Sequence, residues 1–380
     1  MKILMATDEY FPLVGGLEYS IEIMACELRQ LGHEVAILAP EFPNLPPEES
    51  TFRLRSLPSM FGRGDRFSIP FPRKMMKTLK NTDWDIIHIH TPYHIGHISY
   101  SIAKKMNVAC VYTCHSLQEH FTHGIPVLPQ SLLKWGARFW NRRFCNRADG
   151  VIAPSEDIKN ILLQQGITAP IFSLKTPIDG KWFDPIRKVS PYQEQLGFLP
   201  NEKICLYVGQ IAKEKNLQFL IDSFKLVQET VNHSRLVLIG DGPYRAELQK
   251  YINHLGLTQS VMIMGYLPRR ELSTWYSHAT LFLFPSMIET QGMVVPEALY
   301  FGLPAIIVDG TGTRGVVQSG VNGFVIQPNK HLYAQSVIRA LDNLELRKRL
   351  AANAQSQALT ETHHVIESLL EIYTELTTHV

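Results

Sequence analysis

Two glutamates, Glu289 and Glu297, stand eight residues apart in the segment FPSMIETQGMVVPEAL. An apolar run predicts a β-strand just before them, and Gly292 predicts the start of a helix whose N–H groups point at an anion. A carboxylate beside a diphosphate is unfavourable unless hydroxyl groups, such as those of a sugar and a ribose, donate hydrogen bonds to it. This context favours a site for a phosphorylated sugar, whereas the bare spacing alone favours two surface carboxylates.

Flexible cations follow a second predicted strand, in GQIAKEKN at 209–216. Lys213 and Lys215 there suit a diphosphate leaving group, and a solvated charge cluster is the alternative. The pair Gly15-Gly16 lies between the first predicted strand and helix, where backbone N–H groups can approach a phosphate. The spacing is not G-x-G-x-x-G, so a dinucleotide fingerprint is absent and a plain turn is an equal alternative.

Two patterns resemble metal sites and are discounted. A D-x-D at 83–85 precedes a predicted strand, at the end away from the expected ligand site, so solvated caps are favoured. Four histidines fall close together: His88, His90, His94 and His97. No carboxylate or thiolate cluster accompanies them in the sequence, so packing or acceptor-side histidines are favoured over metal ligands. We therefore expect neither a metal nor a cofactor.

The elements that must position these residues alternate between short apolar strands and helices. The 380 residues are 45% hydrophobic and 19% charged, which predicts a globular protein of two domains, with three as the alternative. No apolar run is long enough to cross a bilayer, and the N-terminus predicts a strand rather than a signal peptide. Five scattered cysteines indicate a reducing compartment.

The strand–helix alternation restarts after the Pro-rich stretch 175–202. Short apolar strands between helices predict buried parallel sheets, so the fold class is α/β with two doubly wound Rossmann-like domains. We predict domains at 1–178 and 179–362, with a C-terminal helix in 363–380 that returns to the first domain.

One region is strongly basic. Residues 51–148 hold fifteen Lys and Arg against four Asp and Glu, while the rest of the chain is acidic. Within it, Ser131–Arg147 combines cations with aromatic residues, as interfacial membrane helices do. The alternative is a helix whose apolar side chains pack on the sheet while its cations face water. We expect an anionic membrane surface to contact Lys134, Trp135, Arg138, Arg142 and Arg143. No nucleic-acid motif accompanies this charge, so no nucleic-acid partner is expected.

The sequence resembles family 4 of the retaining glycosyltransferases, which have the GT-B fold. The matching stretches are DEYFPLVGGLE, TCHS at 113–116, GQIAKEKN, IGDGPYRAEL at 239–248, GYLPRRELSTWYSHA at 265–279 and FPSMIETQGMVVPEAL. The resemblance implies two Rossmann-like domains that face a central cleft. It implies an acceptor bound mainly by the first domain and a nucleotide-sugar bound mainly by the second, with transfer that needs no metal.

The resemblance also implies site residues. Its catalytic side chains are His115, Lys215 and Glu289. Its donor-binding set is Gly16, Gln210, Lys215, Leu267, Glu289, Gly292, Met293, Val294 and Glu297.

Each implied role concerns one part of the donor. Glu289 would contact the transferred sugar and Glu297 the ribose, while backbone N–H groups of residues 292–294 would bind the diphosphate. Lys215 would offset charge on the leaving group, helped by the Gly16 backbone. By the same resemblance, Leu267 would border the base. His115 would lie beside the reacting sugar. Family members usually have Arg at the position of Gln210. This difference leaves open whether the activity is weaker or the donor preference is different.

Within the family, IAKKMNV, TCHSLQEHFTHGIP and RRFCNRADGVIAPSE are most similar to bacterial diacylglycerol glucosyltransferases. That subset implies transfer of glucose from a UDP-sugar to a membrane lipid such as diacylglycerol. It also implies a cytoplasmic enzyme peripherally associated with the inner face of the cell membrane. The alternatives are a soluble or polysaccharide-precursor acceptor, or a silent nucleotide-sugar-binding protein.

Overall fold

The computed structural model describes residues 1–13, 15–46, 48–59, 66–69, 73–117, 119 and 129–378, and of 73–76, 362 and 363 the backbone alone. Most of the predicted loop TCHSLQEHFTHGIP lies outside these ranges. The chain forms two compact units, Met1–Pro177 with His363–Val380, and Ile178–Thr362. The predicted division fell at residue 178 and the predicted tail began at 363, so the units and the predicted domains differ by one residue.

The first unit is built on a seven-stranded parallel sheet with the order β3-β2-β1-β6-β7-β8-β9. Its strands, with the antiparallel pair β4-β5, are β1 (Lys2–Ala6), β2 (Glu34–Pro40), β3 (Thr51–Leu54), β4 (Ser56–Pro58), β5 (Arg66–Ser68), β6 (Ile86–Ile89), β7 (Ala109–Thr113), β8 (Gly150–Ala153) and β9 (Ile171–Ser173). Its helices are α1 (Gly16–Gln30), α2 (Arg73–Asn81), α3 (His94–Met106), α4 (Gln130–Cys145) and α5 (Glu156–Gln164).

The second unit repeats this arrangement with a six-stranded parallel sheet in the order β12-β11-β10-β13-β14-β15. Its strands are β10 (Lys203–Val208), β11 (Ser234–Ile239), β12 (Val261–Gly265), β13 (Leu281–Phe284), β14 (Ala305–Val308) and β15 (Gly323–Ile326). Its helices are α6 (Pro191–Leu196), α7 (Leu217–Thr230), α8 (Arg245–His254), α9 (Leu272–His278), α10 (Val294–Tyr300), α11 (Lys330–Asp342) and the start of α12 (Leu344–Thr377).

Both sheets reverse their strand order at one place, between β1 and β6 and between β10 and β13. Helices cover both faces, so the central strands are largely apolar and buried; all four residues of β13 are buried. In open α/β sheets, ligands bind at the carboxyl ends of the strands beside such a reversal. The loops after β1, β6, β10 and β13 are therefore the places where chemistry is expected.

The last helix is longer than the sequence suggests. The predicted separate helix near His363–Thr377 is the end of one continuous helix, α12, of 34 residues. No Gly or Pro interrupts it, so nothing in the chain ends the helix earlier. Its final turns pack on the first unit, where Leu369 and Tyr373 are buried in the same cluster as Ile3 and Val111.

Candidate functional site

Two of the predicted catalytic residues meet at the strand reversal of the second unit. Lys215 ends a short 3-10 turn after β10, and Glu289 lies in the loop after β13. Because these strands are neighbours, the side chains converge, and Lys215 Nζ lies 2.6 Å from Glu289 Oε1. The lysine side chain is 22% exposed and the glutamate 13%, so the ion pair stays reachable from solvent. An ammonium and a carboxylate at one ligand-facing edge can bind a phosphate and a hydroxyl of the same molecule.

Backbone amides extend this site at the start of α10. Gly292 has a φ of +65°, and a Cβ there would lie 3.0 Å from Thr313 Cγ2, so both the conformation and the space favour glycine. Within the described residues, the N–H groups of Gly292, Met293 and Val294 have no hydrogen-bond partner. Those amides can donate to an anion.

Glu297, predicted to contact a ribose, lies deeper. It is 3% exposed, its Oε1 lies 2.7 Å from Arg269 Nη2, and its Oε2 accepts a hydrogen bond of 3.0 Å from the Tyr276 hydroxyl. Burial raises the pKa of the Glu297 carboxyl, while Arg269 and Tyr276 act in the opposite direction. The sequence analysis missed Arg269 and Tyr276. The run PRRE after GYL signals the arginine, but nothing in it shows which of its two arginines points inward.

The remaining predicted donor residues of this unit lie around the same edge. Gln210 is exposed two residues after β10, and Leu267 is half-buried against the core after β12. Lys213, the cation closest in sequence to Gln210, points elsewhere: its Nζ lies 3.1 Å from Glu247 and 5.4 Å from the ring centre of Tyr244. Their roles in donor binding stay predictions.

In the first unit, His115 follows β7 and is half-buried, at the end of a chain of three histidines of which His88 and His90 are buried. Its Nε2 lies 3.0 Å from Nδ1 of His90, and the His90 ring packs against His88 with centroids 4.0 Å apart. His88 is bonded on both nitrogens, to Tyr373 Oη at 2.6 Å and Thr113 Oγ1 at 2.6 Å. Burial lowers the pKa of His88 and of His115 to about 3, so the rings are neutral at pH 7.

His90 thus fixes the orientation of His115, a role that the sequence analysis left open. A second feature found only in the structure is Asp8, which follows β1. Its Oδ1 accepts a hydrogen bond of 2.9 Å from Ile95 N and its Oδ2 one of 2.8 Å from Thr91. Asp8 therefore ties the end of β1 to the start of α3. Gly16 is the first residue of α1, and its predicted contact with the donor stays a prediction.

The D-x-D and the four clustered histidines were the two patterns that resembled metal sites. Asp85 Oδ2 accepts a hydrogen bond of 2.6 Å from Lys2 N, and Trp84 is buried. Because Ile86 begins β6, this motif lies at the amino end of the strands, away from the ligand edge. In the described ranges, no group of three His, Cys, Asp or Glu residues has the arrangement of a metal site.

The basic helix of the sequence analysis is α4, and part of its apolar set is exposed. Phe144 is buried, whereas Leu132, Trp135 and Phe139 are 51%, 64% and 46% exposed. Spaced three and four residues apart, these three form one stripe on the helix, which we call the apolar stripe. The apolar side chains of α4 are therefore divided: Phe144 packs inward, as the alternative expects, and the apolar stripe does not. Contact of α4 with a membrane stays a prediction.

The predicted membrane cations lie on the same helix. Arg138, Arg142 and Arg143 are exposed and Lys134 is half-buried. Arg138 forms an ion pair with Glu119. Among the helices that the structure describes, none is both long enough and apolar enough to cross a bilayer.

Comparisons with known proteins agree with this architecture. The model of "Glycosyltransferase Family 4" matches residues 14–180 and that of "Glycosyl transferases group 1" matches 190–357. The chain is 27% identical over 371 residues to the alpha-monoglucosyldiacylglycerol synthase of Acholeplasma laidlawii, covering 93% of this chain and 92% of the relative. It is 28% identical over 350 residues to the enzyme of that name from Streptococcus pneumoniae, covering 90% and 78%.

Solved structures show the same fold at lower identity. The sucrose-phosphate synthase from Thermosynechococcus elongatus superimposes with a TM-score of 0.78 at 18% identity, and each chain is covered fully. WaaG, a glycosyltransferase involved in lipopolysaccharide biosynthesis, superimposes with a TM-score of 0.71 at 18% identity, covering 98% of this chain and 99% of its own. The two family models together span most of the sequence, and the chain belongs to family 4 of the glycosyltransferases, enzymes of the GT-B fold, where it is related to the glucosyldiacylglycerol synthases.

Proposed function

We propose that this glycosyltransferase transfers glucose from UDP-glucose to a membrane lipid, diacylglycerol, with retention of the anomeric configuration. The observation that carries the proposal is the Lys215–Glu289 ion pair at the strand reversal of the second unit. The relatives named as alpha-monoglucosyldiacylglycerol synthases support the choice of sugar and acceptor. The Anabaena HepE structure with UDP, with a TM-score of 0.76, has the same fold and supports a nucleotide-sugar donor.

The donor binds with its diphosphate at Lys215 and the amides of residues 292–294. Glu289 accepts hydrogen bonds from hydroxyls of the glucose, which sets the sugar against the phosphate. When the bond to the diphosphate breaks, negative charge grows on the leaving oxygen. The Lys215 ammonium stabilises this charge more strongly in the transition state than in the ground state. Glu297 binds the ribose through lone pairs that Arg269 and Tyr276 leave available, and Leu267 borders the base.

Retention follows if the acceptor hydroxyl attacks from the side of the departing diphosphate. The departing phosphate oxygen then takes the proton of that hydroxyl, so no carboxylate nucleophile is required. Lys215 and the backbone amides supply the counter-charge that a divalent metal supplies in other enzymes. His115 and Gly16 are assigned to the donor on the resemblance, and the contact with His90 keeps the His115 ring in one orientation.

The apolar stripe and the cations of α4 support a peripheral enzyme at the inner face of the cell membrane. Trp135 and Phe139 enter the lipid interface, and Lys134, Arg138, Arg142 and Arg143 face anionic headgroups. Diacylglycerol carries no charged group and stays in the bilayer. An enzyme that uses it must therefore bind it at the membrane surface. A soluble or polysaccharide-precursor acceptor needs no such stripe.

The direct test is turnover of radiolabelled UDP-glucose with diacylglycerol in phosphatidylglycerol vesicles, with the anomeric configuration of the product determined by NMR. We expect an α-linked glucolipid, and a clear loss of turnover with Glu289→Gln, which keeps the size of the side chain and removes its charge. Glu229→Gln, an exposed change on α7, is the matched control and should keep full activity. Transfer to soluble sugars alone would refute the lipid acceptor, and donor binding without turnover would refute the enzyme assignment.

A further inference from the structure

A groove between α3 and α4 collects positive charge in the first unit. Its volume is about 890 Å³. The nine described residues that line it include five cations and no carboxylate. The cations are Lys104, Lys105, Arg142, Arg143 and Arg147. A cleft with charges of one sign concentrates ions of the opposite sign.

Aromatic contacts, rather than carboxylates, hold two of these cations. The Arg147 guanidinium lies 4.1 Å from the ring centre of Tyr100, and its Nη1 is 3.2 Å from Nδ1 of His97. The Arg142 guanidinium lies 5.8 Å from the ring centre of Phe139. In the part of the chain that the structure describes, none of the five cations has an ion pair. Their charge is therefore available to a ligand.

The groove chemistry matches a phosphate with an apolar group attached. Planar guanidinium groups pair with two phosphate oxygens at once, and ammonium groups add charge. Phe139 lines the groove and also belongs to the apolar stripe, where its ring stacks on Trp135 with centroids 5.8 Å apart. A ligand with its phosphate in the groove thus has exposed apolar surface directly beside it.

We infer that this groove binds the phosphodiester headgroup of an anionic phospholipid that is not the acceptor, with the acyl chains alongside the apolar stripe. The inference rests on the proposed membrane contact of α4 and adds a specific, saturable headgroup site to it. Diffuse attraction to a charged surface depends on total charge, whereas a built site depends on which cations are present.

Lys104 and Lys105 allow a clean test, because both are exposed and neither belongs to the membrane-contact set of α4. The assay is co-sedimentation with phosphatidylglycerol vesicles, without donor or diacylglycerol. The double variant K104A/K105A should bind about 30-fold more weakly, on the basis of about 1 kcal/mol for each cation in contact with an anionic headgroup. Soluble glycerophosphoglycerol should compete with wild-type binding and not with the residual binding of the variant.

The matched control is K77A/K80A, which removes the same charge from exposed positions on α2 in the same basic region. Because Lys77 and Lys80 do not line the groove, its loss should be clearly smaller than that of K104A/K105A. Equal losses in the two double variants would refute the groove and leave diffuse attraction. Saturable binding of inorganic phosphate at the groove without vesicle binding would refute the lipid source. If the wild-type protein does not bind vesicles, the proposed membrane contact of α4 is contradicted as well. If both double variants still bind vesicles as the wild type does, only the groove is contradicted.

Discussion

Replacing Arg269 by methionine tests how much the buried ion pair between Arg269 and Glu297 contributes to the stability of the second unit. The two side chains are 9% and 4% exposed and their charged atoms are 2.7 Å apart. At an effective dielectric constant of 20, charges at that distance attract by about 6 kcal/mol, and desolvation offsets part of this. Breaking such a buried pair costs about 3–5 kcal/mol, because one charge is left without its partner. Arg269→Met should therefore destabilise the second unit by that amount at pH 8.

The destabilisation should depend on pH in a defined direction. Burial raises the pKa of Glu297 above 4.5, and Arg269 opposes that rise, so the variant has a still higher pKa. Between the unfolded pKa and the folded one, the native state binds more protons than the unfolded state, and stability falls as pH rises. The loss in Arg269→Met should thus be smaller at pH 5 than at pH 8.

The stability of the second unit can be measured by urea unfolding, with hydrogen exchange of peptides from α9 and α10 as the readout. The double variant R269M/E297Q, which carries no buried charge at this position, should recover most of the stability at pH 8. Arg245→Met is the control, because its ion pair with Asp241 is exposed and its loss should leave the urea midpoint unchanged. A wild-type midpoint for Arg269→Met at pH 8 would refute the reasoning. If the double variant is stable yet binds UDP poorly, Glu297 has a role in the donor site beyond packing.

Four further outcomes are expected. Glu289→Ala should lower kcat/KM by about 30-fold to 1000-fold, equivalent to about 2–4 kcal/mol, with an unchanged melting temperature; wild-type kinetics would remove the core of the site. Lys215→Ala should lower kcat more than it weakens UDP-glucose binding, and a change in KM alone would show a binding role only. Activity should survive EDTA, and loss that Mn²⁺ or Mg²⁺ restores would contradict the proposed counter-charge. Because His88 has a folded pKa of about 3, the first unit should lose stability as pH falls below about 6.5. The loss should be about 1.4 kcal/mol per pH unit for each such histidine. In His88→Gln the urea midpoint should therefore depend less steeply on pH.

The architecture was predictable because both sheets follow simple patterns. Short apolar strands between helices indicate parallel sheets, and such strands as β10 and β13 are buried as predicted. The meeting of Lys215 and Glu289 required one more fact, the reversal of strand order between β10 and β13, which the sequence pattern does not contain. Local patterns also missed β3, which lacks a long apolar run and is half-buried.

Contacts between side chains far apart in the chain could not be predicted from the sequence for a different reason. His88 bonds to Tyr373, 285 residues away, and Glu297 selects Arg269 rather than the adjacent Arg270. The helix or turn that carries each partner was predictable, but which of its side chains points inward depends on packing. The same limit applies to α4, whose sequence could not separate buried Phe144 from exposed Phe139.

Because Trp135 is exposed, intrinsic tryptophan fluorescence can report on membrane insertion of α4. The five tryptophans differ in environment: Trp84 and Trp275 are buried, Trp140 and Trp182 are half-buried, and Trp135 is 64% exposed. Indole emission shifts to shorter wavelength when water around the ring is replaced by hydrocarbon, and the ring with most water to lose shifts most. Insertion of α4 would therefore appear as a blue shift of the intrinsic fluorescence, with no added label and with the other four rings as a nearly constant background.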